Sequence, residues 1–106
     1  MSLEQEQIVH SKGGEPLLPP EEGRALHAQI PQWSLAEKSL EREYTFKDFR
    51  EAIAYVNRVA DVAEREKHHP DIHISYNKVK LTLSTHKSGG LTRHDFILAA
   101  KIDKIA

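Results

Sequence analysis

The sequence predicts an α+β fold, two ββα units forming a four-stranded antiparallel sheet with helices packed on one face. Three observations carry this. Apolar residues recur at helical spacing from Thr45 and again from Arg93, and two short segments of alternating polarity precede each of these stretches. One start signal opens both helices, because Leu91, Thr92, Asp95 and Phe96 stand where Tyr44, Thr45, Asp48 and Phe49 stood before. The order strand, strand, helix thus occurs twice, and one face of the sheet is left uncovered.

Residues 1–20 carry the Gly13–Gly14 pair and three of the five prolines without sustained periodicity. Residues 1–19 therefore read as an N-terminal arm, Met1-Ser2-Leu3 having the form of a cloning remnant, and residues 20–106 as a single domain. A short helix fits Pro20 to Gln29, with proline and Glu21–Glu22 in its first turn, although Gly23 weakens it. Trp33 to Leu35 and Leu40 to Tyr44 are strand candidates.

The first long helix places Phe46, Phe49, Ile53, Val56, Ala60 and Ala63 along one face over about five turns. Thr45 is positioned to cap it and Tyr44 to staple onto Phe49. Pro70 disfavours helical geometry at His69, so the helix should finish close to His68 and His69. Ile72, Ile74 and Tyr76 mark a short strand, Asn77–Lys78 a turn, and Val79, Leu81 and Leu83 a half-buried strand. The last helix should run from Arg93 to Lys104. It is apolar over more than half its circumference, which calls for deep burial or, the favoured reading in so small a domain, a self-association surface.

At 106 residues the chain is long enough for one core and too short for two. Its formal net charge of −1 provides no global field toward nucleic acid or an anionic membrane. The absence of cysteine excludes disulfides and thiolate sites, and no apolar run approaches the roughly 20 residues of a membrane span. With no signal-peptide layout at the N-terminus, the chain reads as soluble and cytoplasmic.

The chemistry concentrates in EREKHHPDIHISYNKV, residues 64–79. A metal site on His68, His69 and His73 is disfavoured, because Pro70 places His69 and His73 across a helix end and no second ligand motif completes the set. An acid–base site fits better. Glu64 lies one turn before His68 and is placed to accept from one ring nitrogen, fixing the tautomer of the other. A second group is available at His86, where the long strand gives way to the Gly89–Gly90 loop, although on spacing alone a solvated histidine beside a turn is the favoured reading there. His10, His27, His73 and His94 have no more than that reading.

Glu64-x-x-x-His68-His69-Pro70, followed by Tyr76, His86 and Asp95, resembles the signature of the pterin-4a-carbinolamine dehydratase family, and the likeness covers roughly residues 20–104. The resemblance implies dehydration of 4a-hydroxytetrahydrobiopterin or a related carbinolamine to the quinonoid dihydropterin, a hydro-lyase reaction that recycles the cofactor of aromatic amino acid hydroxylases. It implies no metal or redox cofactor, and a homodimer or homotetramer. By position, His68, His69 and His86 match the active-site histidines, Glu64 the histidine-orienting carboxylate, and Pro70 the residue that shapes the turn. His68 and His86 are expected to move protons and His69 to orient substrate, with Thr85 helping to hold the ring. For Asp95, capping is weighted above a place beside a histidine. The alternative function is a non-catalytic module, since animal family members also serve as dimerisation cofactors for a transcription regulator.

Overall fold

The computed structural model describes residues 2–8 and 16–105; His10 and the Gly13–Gly14 pair of the arm lie outside the described residues. The chain forms α1 (Pro20–His27), β1 (Ser34–Leu35), β2 (Leu40–Thr45), α2 (Phe49–Glu66), β3 (Asp71–Ser75), β4 (Lys78–Leu83) and α3 (Arg93–Asp103). The strands make one antiparallel sheet in the order β1-β2-β4-β3. The long strands of the two ββα units pair at its centre, Leu40 opposite Leu83 and Tyr44 opposite Val79, so the two hairpins sit side by side with their shorter strands at the edges.

Alternation along the strands turns Leu40, Val79, Leu81 and Leu83 toward the helices, where all four are fully buried. Glu41, Glu43, Lys78 and Lys80 occupy the other face, with Lys80 Nζ 3.2 Å from Glu41 Oε1. At the β3 edge, Ile72 and Ile74 oppose Leu81 and Val79, yet Ile72 remains exposed and Ile74 only half-buried. The hairpin turns at Tyr76–Asn77, one residue earlier than the sequence suggested, because Lys78 already pairs with both Thr45 and Ser75. Tyr76 takes the left-handed φ of 53° that this turn requires.

Two expectations about α2 are corrected. Its N-cap is Asp48 rather than Thr45, with Asp48 Oδ1 accepting from Glu51 N at 2.9 Å and Glu51 Oε1 from Lys47 N at 3.1 Å. Thr45 is held in β2, since the ladder continues through Thr45 and on to Phe46 N, which donates to Asn77 O at 2.8 Å. The staple onto Phe49 is therefore absent; Tyr44 packs instead against Phe46 and Tyr55, and Phe49 is about half exposed. The buried stripe is Ala52, Tyr55, Val59, Val62 and Ala63, which leaves Phe49 and Ala60 of the expected stripe on the outer side.

The broad apolar surface of α3 is consumed within the chain, so deep burial, not self-association, accounts for it. His94 through Ala100 are all buried, as is Ile102. Part of the cover comes from the arm, where a 3-10 turn, Leu3–Gln5, lies on α3 with Leu3 fully buried. Burial of one leucine stabilises by about 1.5–3 kcal/mol. Polar contacts hold the turn there: Leu3 N donates to Gln29 Oε1 at 3.0 Å, Lys101 Nζ to Glu4 O at 3.1 Å, and Arg93 to both carboxylate oxygens of Glu6 at 2.8 and 2.7 Å. At the far end of α3, Asp103 Oδ1 accepts from Trp33 Nε1 at 2.9 Å and from Arg42 Nη1 at 2.5 Å, tying the helix to the sheet. No helix among the described residues is long and apolar enough to cross a membrane.

Candidate active site

The C-terminus of α2 and the N-terminus of α3 meet at one end of the sheet. Helix α2 stops at Glu66 because Lys67 adopts a left-handed φ of 56°, which lets Lys67 N and His68 N both donate to Ala63 O. The chain reverses at that point, slightly before the end expected from Pro70, and sends the two histidines in different directions. His68 reaches α3, where its Nε2 lies 2.6 Å from Asp95 Oδ1. His69 swings back over α2, with Nε2 2.5 Å from Glu64 Oε2.

This pairing differs from the one that helical spacing suggested. Glu64 and His68 sit four apart in sequence, but the left-handed residue between them removes His68 from the helical register and brings His69 over Glu64 instead. The two pairs also differ in setting. Asp95 is fully buried and the His68 side chain only 11% exposed, whereas the His69 and Glu64 side chains are 59% and 78% exposed. A hydrogen bond in the first environment is far less open to competition from water.

Asp95 both caps and contacts histidine, so the two readings weighed for it hold together. Its Oδ2 accepts from Thr92 N at 2.9 Å, closing the capping box of α3, and from Thr85 Oγ1 at 2.8 Å. Its Oδ1 is left for His68. An ionised carboxylate only accepts, so His68 donates from Nε2, and whenever the ring is neutral Nδ1 is its acceptor nitrogen. Thr85 spends its hydroxyl proton on Asp95, so in its 2.9 Å contact with Thr92 the Thr92 hydroxyl donates. The Thr85 hydroxyl proton is thus given to Asp95.

The loop after β4 is built to hold Thr85 in place. Thr85 N donates to Gly90 O at 2.8 Å and Gly89 N donates to Thr85 O at 3.0 Å, a closure that Gly89 permits with φ of 77°. His86 follows immediately, exposed at the start of the 3-10 turn His86–Ser88. Pro70 is partly buried behind His69 in the chain. Tyr76 lies in the β3–β4 turn, exposed. His73 points outward from the edge strand, exposed, and His27 bonds to Trp33 O at 2.5 Å, a structural contact. Among the described residues, no group of three or more His, Asp or Glu side chains is placed to hold a metal ion.

One member of the cluster was missed from sequence. His94 is 6% exposed and packs edge to face on His68, ring centroids 5.9 Å apart at 75°. Its adjacency to Asp95 was the only available signal.

An α+β domain that sets a histidine on a buried carboxylate, with further histidines on the neighbouring turn and loop, carries groups of the kind that donate and accept protons. The sequence profile described as pterin 4 alpha carbinolamine dehydratase matches residues 16–105, and the chain belongs to that family. A Rubrobacter xylanophilus protein provisionally named pterin-4-alpha-carbinolamine dehydratase is 43% identical over 104 residues, 97% of each chain. One of the same provisional name from Thermomicrobium roseum is 51% identical over 82 residues, 77% of this chain and 88% of the relative. Among solved structures, a transcriptional coactivator/pterin dehydratase from Brucella melitensis superposes with a TM-score of 0.79 at 32% identity, over 85% of this chain and 98% of the other.

Proposed function

We propose that the protein is a hydro-lyase that dehydrates 4a-hydroxytetrahydrobiopterin, or a closely related 4a-carbinolamine, to the quinonoid dihydropterin and water. The observation that carries this reading is His68 held through Nε2 by the buried Asp95, within a chain of the dehydratase family. In the reaction the C4a–O bond breaks as a proton reaches the departing hydroxyl, N5 gives up its proton, and the N5 electron pair forms the C4a–N5 double bond. One group must donate and one must accept. In its neutral form His68 would accept through Nδ1; His86, in its protonated form, would donate from the loop after β4. The two exchange roles according to which face of the ring carries the hydroxyl. His69, steadied by Glu64, orients the substrate, Pro70 shapes the turn that presents it, and Thr85 acts through Asp95.

The reaction places the enzyme in tetrahydrobiopterin recycling, serving an aromatic amino acid hydroxylase in the cytoplasm, and asks for no metal or redox cofactor. A homodimer or homotetramer is supported by exposed Phe49, Ile72 and Tyr76, apolar side chains that the single chain leaves uncovered; a monomeric sedimentation coefficient at micromolar concentration would overturn that part. The test of the activity is the disappearance of synthetic 4a-carbinolamine with and without protein. Wild type should run well above the spontaneous rate, with His86→Ala slower by about 10²-fold. Protein no faster than buffer would overturn the reading.

A second reading, a protein-interaction module, is favoured by the coactivator function in the name of the Brucella melitensis relative. A stable complex with a transcription regulator that survives His68→Ala would support it, and the same variant abolishing dehydration and complex formation together would count against it.

A further inference from the structure

The structure assigns His94 a part in the proposed chemistry that neither the family motif nor the sequence singled out: we propose that it is a positioning residue that fixes the plane of the His68 ring. The inference rests on the dehydratase reading. A single hydrogen bond, from His68 Nε2 to Asp95 Oδ1, together with the covalent tether at Cγ, fixes the two ends of the imidazole and restrains rotation of its plane about the Cβ–Cγ bond only weakly. That rotation decides where Nδ1 points, and proton transfer demands alignment within about 10–20°. A second contact on the ring is needed. His94 supplies it, edge to face at 75° and 5.9 Å between centroids, from a position almost fully out of water.

Both contacts come from one rigid support. His94 and Asp95 are consecutive in the first turn of α3, which the capping box and the bond from Thr85 hold in place. From the other side, His68 leaves α2 just past the left-handed Lys67, a reversal that sets the direction from which the ring enters. The His94–Asp95 pair therefore grips the imidazole by its Nε2 edge and by its flank. In this arrangement His94 acts through its contact with His68.

The test compares His94→Ala and His94→Phe with wild type in steady-state dehydration of synthetic carbinolamine, alongside the ring resonances of His68. His94→Ala should lower kcat about 3- to 10-fold with KM within about twofold, and His94→Phe, which keeps an aromatic flank, should recover most of kcat. The His68 ring resonances should broaden and shift in His94→Ala and sharpen again in His94→Phe, a readout independent of turnover. Wild type no faster than buffer sinks the dehydratase reading. Active wild type with an equally active His94→Ala, with a loss confined to KM, or with no rescue by phenylalanine, sinks the positioning role alone. Unchanged His68 resonances in His94→Ala overturn it whether or not the protein turns over carbinolamine.

Discussion

Asp95 is the residue on which fold and site converge, since one carboxylate closes the α3 capping box, receives the Thr85 hydroxyl and holds His68. Asp95→Asn should separate these duties. The amide oxygen still accepts from Thr92 N, but the amide N–H turned toward His68 would move the ring proton to Nδ1 and remove the free acceptor. Cooperative folding should survive while kcat drops by about 10²-fold or more; an unchanged kcat would show that the His68 tautomer does not matter. Glu64 and His68 stood out by spacing and Asp95 by the repeated start signal, whereas the roles of His69, Thr85 and His86 came only with the family resemblance. What failed was the partner assignment. Helical spacing links Glu64 to His68 only while the helix lasts, and a lysine in the left-handed region, which no glycine announces, ends it first. His94 was hidden for a related reason: its partner lies across a tertiary contact that no local pattern encodes.

Among the elements, the two ββα units share a pattern but do not start their second-half helices alike. In the second unit Thr92 caps α3 where the pattern placed it. In the first, β2 and β4 extend their ladder through Thr45 and Lys78, and Asp48 becomes the cap. Asp48→Ala should therefore destabilise the protein by about 1 kcal/mol, and Thr45→Ala by no more than about 0.5 kcal/mol. Chemical denaturation of the two variants distinguishes them, the reverse ranking contradicting the observed cap. Element order and type were readable because alternation and helical spacing are local. The buried stripe of α2 was only partly readable: Ala63 was expected there and is buried, but Phe49 faces outward while Ala52, Tyr55, Val59 and Val62 face in.

At the scale of the whole molecule, the first residues of the chain complete the core over α3, with the Glu6–Arg93 pair locking them down. The bond from Arg93 holds the Glu6 carboxyl below the usual glutamate range, its partial burial opposing this. A carboxylate whose pKa is lower in the folded state contributes its full stabilisation above its unfolded pKa and loses it as pH falls through the folded value. With Arg93 about half exposed, that contribution is on the order of 0.5–1 kcal/mol. Glu6→Gln should melt below wild type at neutral pH and converge with it in acid, and a gap that stays constant down to pH 2–3 would contradict the pairing. The role of the arm could not be read from its composition, because glycine, proline and missing periodicity describe its middle, whereas Leu3, Ile8 and Leu18 are isolated apolar positions that pack on the core.

These scales meet in one claim, that a histidine held by the buried carboxylate of α3 moves the protons of a carbinolamine dehydration. The most direct measurement is the initial rate of dehydration of synthetic 4a-carbinolamine at neutral pH, wild type and His68→Ala side by side after both are shown to be folded. The wild type should far exceed the spontaneous rate and His68→Ala should lose about 10²-fold or more of that acceleration. A folded His68→Ala as fast as the wild type would contradict it.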